Sequence, residues 1–303
     1  MFFLSTQHCI TYLDEAKINN RGSNGKTDYY TIVSVTWERQ FYLDKIEPLW
    51  LQLRQRHGIP DGVALHFTNV RHLLVSGKPA KHYSAELLEV FSVSKSSTDN
   101  NIDYPALHAF LTDVVNFIDQ NNLTVQATGI KYDRDGIIRN VKNKFFKTST
   151  YRPPYLAFRE HLNLMATYLL SLSTGEFKTD GQLYLNTKLR FDGDVDLGER
   201  DDLREAYNHC ISLGTRHFRP ILTKKIFDEI RFIGKNEVGC NPGISHAGNE
   251  ITDFITSILS RYLWNEDIHL IPITFDALPR IETLSIIQSK LLNAQKLEDN
   301  FFL

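Results

Sequence analysis

Acidic residues stand where the apolar runs of this chain end. Asp14 and Glu15 follow the β-prone run 8–13, Asp133 follows 123–132, and Asp192 follows 182–191. Asp253 differs in kind, because Ile251, Phe254, Ile255 and Ile258 surround it in a helical pattern. In α/β sheets, functional groups gather at the carboxyl ends of strands. Carboxylates that meet there repel one another unless a cation lies between them. Mg²⁺ and Mn²⁺ choose oxygen ligands, and a pair of such ions can clamp an in-line phosphoryl displacement. Taken singly, each strand-end acid reads as a turn residue rather than a ligand. Asp253 makes the stronger demand, since a carboxylate beside an apolar helix face requires a partner.

The neighbours of these acids receive plainer readings. Glu15 points to the other face of its strand from Asp14, so it tunes or orients rather than ligates. Glu250 lies three residues before Asp253 on the same helix side; it reads as a solvated first-turn acid favoured by the helix dipole. His66 and His246 read as structural among the 11 histidines. Cys9, Cys210 and Cys240 are too scattered for a zinc motif or a disulfide framework, and nothing near Cys9 suggests an activated thiol.

A second feature is basic. Residues 134–152 carry Arg134, Arg139, Lys142, Lys144, Lys147 and Arg152, interleaved with Phe145, Phe146 and Tyr151. Cations with aromatics between them can track a phosphate backbone and stack bases, as well as form an ordinary solvated loop. Arg216, His217 and Arg219 add to this set. The whole chain is nearly neutral, with 34 Lys+Arg, 36 Asp+Glu and a formal net charge of −2. A strongly basic, tail-driven nucleic-acid binder is therefore excluded, while a local basic patch is not. No apolar run approaches the ~18 residues that a membrane span requires. Residues 1–4 lack the basic start and sustained apolar stretch of a signal peptide. A cytoplasmic protein is the expectation.

These groups must be positioned by an α/β framework. Hydrophobic residues make up 42% and aromatics 12% of 303 residues, enough for one large core. Residues 8–13 and 29–37 read as an antiparallel hairpin across the Asn/Gly-rich turn 19–26. A helix follows over 41–57, ended by Gly58-Ile59-Pro60, with a short third strand at 63–67. Residues 76–103 are polar and read as a surface insertion. The stripe Leu107, Phe110, Leu111, Val114, Phe117 and Ile118 predicts a helix over 104–120. Strands are predicted at 123–132, 182–191 and 226–233, and helices from Pro153 to about 172, over 201–213 and over 247–264. Residues 268–273 read as one more strand and 281–297 as a terminal helix, within a C-terminal extension from about 266. Alternation without a break predicts one domain over 1–303 with a mixed sheet flanked by helices.

Several of these segments together resemble a known family. Ile10-Thr11-Tyr12-Leu13-Asp14-Glu15-Ala16 is similar to the opening of the domain-of-unknown-function 3800 family, an apolar strand running into Asp-Glu-Ser. Ala247-Gly248-Asn249-Glu250-Ile251-Thr252-Asp253-Phe254-Ile255-Thr256 resembles its Ala-Gly-Leu-Gln-Leu-Ala-Asp-Leu-Ile-Ala helix. Asp202-Leu203 to Tyr207, Leu213-Gly214-Thr215 and Phe232 to Lys235 fall between them in the family's order. The resemblance implies a ribonuclease H-like fold and metal-dependent nuclease chemistry on RNA or DNA. It implies one acid on the first strand, one near the end of a neighbouring strand and one on a late helix. Asp14 and Asp253 match the first and last, and Asp133 or Asp192 fits the middle, Asp133 better by plain strand order. Mg²⁺ or Mn²⁺ would be the cofactor, and Lys142, Lys144, Lys147 and Arg152 the nucleic-acid contacts. The chain departs from the family at Ala16, Ala64 and Lys188, where Ser, Glu and Glu are usual. Two missing carboxylates keep open a non-cleaving member that binds nucleic acid or a protein partner, with Glu199 or Asp192 as the acids that would compensate. A small-molecule hydrolase on the same fold is the third reading.

Overall fold

The computed structural model describes residues 7–19, 27–61, 63–76, 85–93, 102–133, 141–143, 146–149, 152–173, 185–193, 195–234, 247–263 and 290–297. In chain order its elements are β1 (Gln7–Asn19), β2 (Thr27–Glu38), α1 (Arg39–Phe41), a π-helical turn (Tyr42–Ile46), α2 (Glu47–Arg56), α3 (Phe67–Ser76), α4 (Ala85–Val90) and α5 (Tyr104–Gln120). They continue with β3 (Thr124–Asp133), β4 (Val141–Asn143), β5 (Phe146–Ser149), α6 (Pro153–Ser173), β6 (Leu185–Asp192), α7 (Leu197–Leu213), α8 (Pro220–Ile226), β7 (Phe227–Ile233), α9 (Ala247–Leu263) and β8 (Leu291–Leu297).

Six strands make one mixed sheet in the order β7-β6-β1-β2-β3-β8. β1, β2 and β3 are antiparallel neighbours, whereas β6 is parallel to β1, β7 to β6 and β8 to β3. Thr11 fixes the centre of the sheet: its buried hydroxyl meets Thr36 at 2.9 Å on β2 and Thr187 at 2.8 Å on β6. One face of the sheet packs against α2, α3, α5 and α9 through Ile10, Tyr12, Val33 and Val35. The other packs against α6, α7 and α8 through Cys9, Leu13, Tyr30 and Ile32. Consecutive β1 residues thus divide between two cores, as the two-residue period requires.

The strand-rich beginning and the main helices follow the sequence expectation, and four segments depart from it. β1 does not stop at Leu13, because Lys17 and Ile18 still pair with Tyr30 and Tyr29 of β2. Its pairing with β6 does stop at Leu13↔Phe191. Asp14 and Glu15 therefore sit where β1 loses its parallel neighbour, not where the strand ends. Residues 63–66 form no strand: the Leu65 and Phe67 amides bond to side-chain carboxylates of α9 instead of a sheet neighbour. Residues 291–297 form strand β8 on the β3 edge rather than a helix, and Lys290 Nζ ties that strand to the Asp119 and Asn121 carbonyls. The helix α8 was not expected from the sequence. The strand expected at 268–273 lies outside the described residues. Within the polar insertion, the described part is anchored by the buried Leu87, Phe91 and Ile102. No described helix is long and apolar enough to cross a membrane.

Candidate functional site

Asp14 and Asp192 come together through the sheet register. Leu13 pairs with Phe191, and both side chains enter the α6–α7 core. The next residue on each strand turns to the opposite face, so Asp14 and Asp192 stand side by side toward α9. They are 6% and 4% exposed, respectively. Gly193 follows Asp192 and packs so closely on Gly234 that a Cβ has no room, and its amide bonds the Ile233 carbonyl at 2.9 Å. That contact holds the end of β6 against β7.

The same Ile233 carbonyl accepts from Asn249 Nδ2 at 2.7 Å, which seats the start of α9 over this end of the sheet. A Cβ on Gly248 would fall on the Tyr12 ring, so only glycine lets the helix lie this close to β1. The Gly248 amide also donates to Tyr42 Oη at 3.1 Å. Asp253 is one turn beyond Asn249 and shares its side of α9. Register thus brings Asp14 and Asp192 to one end of the sheet, and the start of α9, the helix that carries Asp253, is seated over that end. Asp253 accepts from the Phe67 amide at 2.9 Å, and His66 Nδ1 lies 4.0 Å from the same oxygen.

The segment that delivers Phe67 and His66 is held by Glu250. This residue is buried, not solvated as the sequence suggested. One oxygen takes the Arg54 guanidinium and the Leu65 amide, the other takes Trp50 Nε1 at 2.6 Å. Arg54 spends its second nitrogen on the Pro60 and Val63 carbonyls. Every oxygen of Glu250 is committed, so it organises the 63–67 segment and is not available as a ligand.

Asp133 stands elsewhere in the sheet. Asp14 is level with Val33 and Val33 with Ala127, so Asp133 is two strands over and six rows further along β3. At ~3.3 Å per residue this is about 20 Å along the strand direction. The register therefore favours Asp192 as the acid beside Asp14.

Glu15 occupies the other face, as its strand parity predicts. It meets Glu199, which α7 supplies from its first turn behind the Asp196 N-cap. Burial pushes the Glu15 carboxyl up to about 8, with Glu199 and then Asp192 adding to the shift and Lys17 opposing it. Lys17 forms an ion pair with Glu199. The sequence offers Glu199 as a compensating acid for the site, and the fold places it by Glu15 on the other face instead.

The basic stretch is partly a hairpin. Lys142 lies on β4 and Lys147 on β5, which pair antiparallel, while Lys144 lies outside the described residues. Arg152 is exposed just before α6, 3.9 Å from Asp202. Lys188 reaches Asp228 and Glu229 at 3.8 and 3.6 Å. Cys9 and Cys210 are buried thiols pushed up to about 11 and 12 by burial, which leaves them unreactive. His246 lies outside the described residues.

Among the described residues, no group of three or more His, Cys, Asp or Glu side chains is placed to hold a metal ion. Two buried carboxylates, Asp14 and Asp192, remain the acids on neighbouring strands, and Mg²⁺ is commonly bound through only one or two protein carboxylates beside waters and substrate phosphate. Comparison with protein-family models, with curated proteins and with solved structures gives no match for this chain.

Proposed function

We propose that this protein is a divalent-metal-dependent nuclease of ribonuclease H-like architecture acting on RNA or DNA. The observation that carries the reading is the placement of three buried carboxylates. Asp14 comes from the first strand, Asp192 from the end of its parallel neighbour, and Asp253 from α9, whose start is seated over that end of the sheet. Asp14 and Asp192 would hold Mg²⁺ or Mn²⁺, with Asp253 completing the set. When bound, such an ion stabilises charge on phosphoryl oxygens and acidifies a water. Asp253 is oriented for its part by the Phe67 amide, and His66 stands beside it where it can exchange a proton with a leaving oxygen. Lys142, Lys144, Lys147 and Arg152 would meet the phosphate backbone.

The test is cleavage of labelled single- and double-stranded RNA and DNA by the full chain, in Mn²⁺ and in EDTA. Asp14→Asn and Asp192→Asn should each reduce cleavage at least about 100-fold with the circular dichroism spectrum unchanged. Cleavage that persists in both variants, or in EDTA, rejects the reading.

A second reading is favoured by Lys188, whose pairing with Asp228 and Glu229 places a cation where the family has an acid. A non-cleaving module would bind nucleic acid or a protein without metal. Neutralising Lys142, Lys144 and Lys147 together should then abolish a metal-independent gel shift.

A further inference from the structure

On the face of the sheet that α9 covers, the apolar core stops at β1. The sheet residues buried in that core come from β1, β2 and β3, and among the described residues β6 and β7 contribute none. Lys188 and Arg190 lie on this face of β6, because their register partners Ile10 and Tyr12 belong to that core. Arg190 is level with Arg231 of β7, the edge strand of the sheet. Arg231 and Glu229, two residues before it, therefore share the face. Asp192 is the next residue of β6 on the same side, with Asp14 next to it on β1. A charged strip on β6 and β7 thus runs up to the two acids.

The strip holds more cation than its acids absorb. Glu229 takes Arg190 Nη2 on one oxygen and Arg231 Nε on the other, both at 2.9 Å, and Lys188 Nζ stands 3.6 Å away. Asp228 is the second acid, 3.8 Å from Lys188. Two guanidinium groups and an ammonium carry many more N–H donors than two carboxylates accept. Arg231 is 63% exposed and Lys188 31%, so their donors are within reach of a ligand. Arg190 is held in place by Glu229 and by its contact with the Leu189 carbonyl at 3.3 Å. A guanidinium fixed beside an acid pair suits a phosphate, which it can meet with two parallel N–H groups.

We propose that Arg190, Arg231 and Lys188 receive the phosphate backbone of a nucleic-acid strand and lead it to Asp14 and Asp192. The proposal rests on the nuclease reading for the role of those two acids, and it adds the β6–β7 face as the side from which the strand arrives. Glu229 is the anion with which the backbone competes for the two guanidinium groups.

The experiment is fluorescence anisotropy of labelled single-stranded RNA and DNA oligonucleotides with the full chain, in EDTA and over a series of salt concentrations. The Arg190→Gln/Arg231→Gln double variant should bind at least about tenfold more weakly, and its slope of log K against log salt should fall by about 0.7 for each cation removed. Glu229→Gln should tighten binding, whereas a purely structural ion pair would give a loss of stability with affinity unchanged. No binding by the wild type, or affinity and salt slope unchanged in the double variant, overturns the proposal. Metal-dependent cleavage that needs Asp14 and Asp192, with normal binding by the double variant, keeps the nuclease reading and rejects this one. Binding that needs Arg190 and Arg231, with no cleavage in Mn²⁺, keeps the strip and rejects the nuclease reading. Should the double variant fail to fold, Arg231→Gln and Lys188→Gln decide the matter, and unchanged binding in both overturns the proposal.

Discussion

Glu250 and Glu199 are both buried carboxylates in the first turn of a long helix, and the two sides of the sheet treat them in opposite ways. On the α9 side, Glu250 meets Arg54, Trp50 and the Leu65 amide, so no oxygen is left over. On the α7 side, Glu199 and Glu15 each keep an oxygen without a hydrogen-bond partner. Burial alone therefore does not separate a structural acid from a functional one. The accounting of donors separates the two sides, because a satisfied buried charge fixes structure while an unsatisfied one costs stability.

The largest effect should come from breaking the satisfied side. Arg54→Met leaves Glu250 buried without its cation and should cost about 3–5 kcal/mol, read by urea denaturation. A loss under ~1 kcal/mol would mean that the Arg54 pair does not hold the 63–67 segment.

The α7 side can be probed next through His161, a fully buried imidazole whose Nδ1 lies 3.1 Å from the Thr128 hydroxyl. Burial pushes it down to about 3 from an ordinary 6.5. Between those values the unfolded chain binds the proton and the native state does not. Its contribution to stability is therefore complete above pH 6.5 and declines as pH falls toward 3. The slope should approach about 1.4 kcal/mol per pH unit, and His161→Phe should flatten it. Equal slopes in the two proteins would show that His161 takes up its proton without unfolding.

The smallest effect has the most telling sign. In EDTA, Glu15→Gln removes a buried acid beside Glu199 and should raise stability by about 1 kcal/mol. Glu250→Gln should lower it by about 2 kcal/mol, since it disrupts charged hydrogen bonds. Thermal melting of the two variants side by side checks this. The same sign in both would end the distinction between the two sides.

Much of the framework was legible in the sequence. The helix over 104–120 appears as α5, because its apolar stripe is reinforced by Pro105 in the first turn and by Asp103, which caps the Ala106 amide at 3.0 Å. The hairpin of β1 and β2 was equally plain. The short apolar run 63–67 was misread because apolarity cannot say whether an amide will bond a strand or a distant carboxylate. Residues 291–297 read as a helix because their pattern carried no trace of the β3 edge they join. Glu250 looked solvated because Arg54 lies 196 residues away in the chain.

The sequence by itself determined the acids, their strand parity and the alternation of helices and strands, since these depend on residue type and local period. Strand parity already placed Asp14 and Glu15 on opposite faces. Only the tertiary structure decided who shares each face. The end of the β1–β6 pairing set Asp192 beside Asp14, and α7 brought Glu199 to Glu15 without a donor for every oxygen. Which groups meet, and which are left unsatisfied, depends on contacts between residues far apart in the chain, and no local pattern records them.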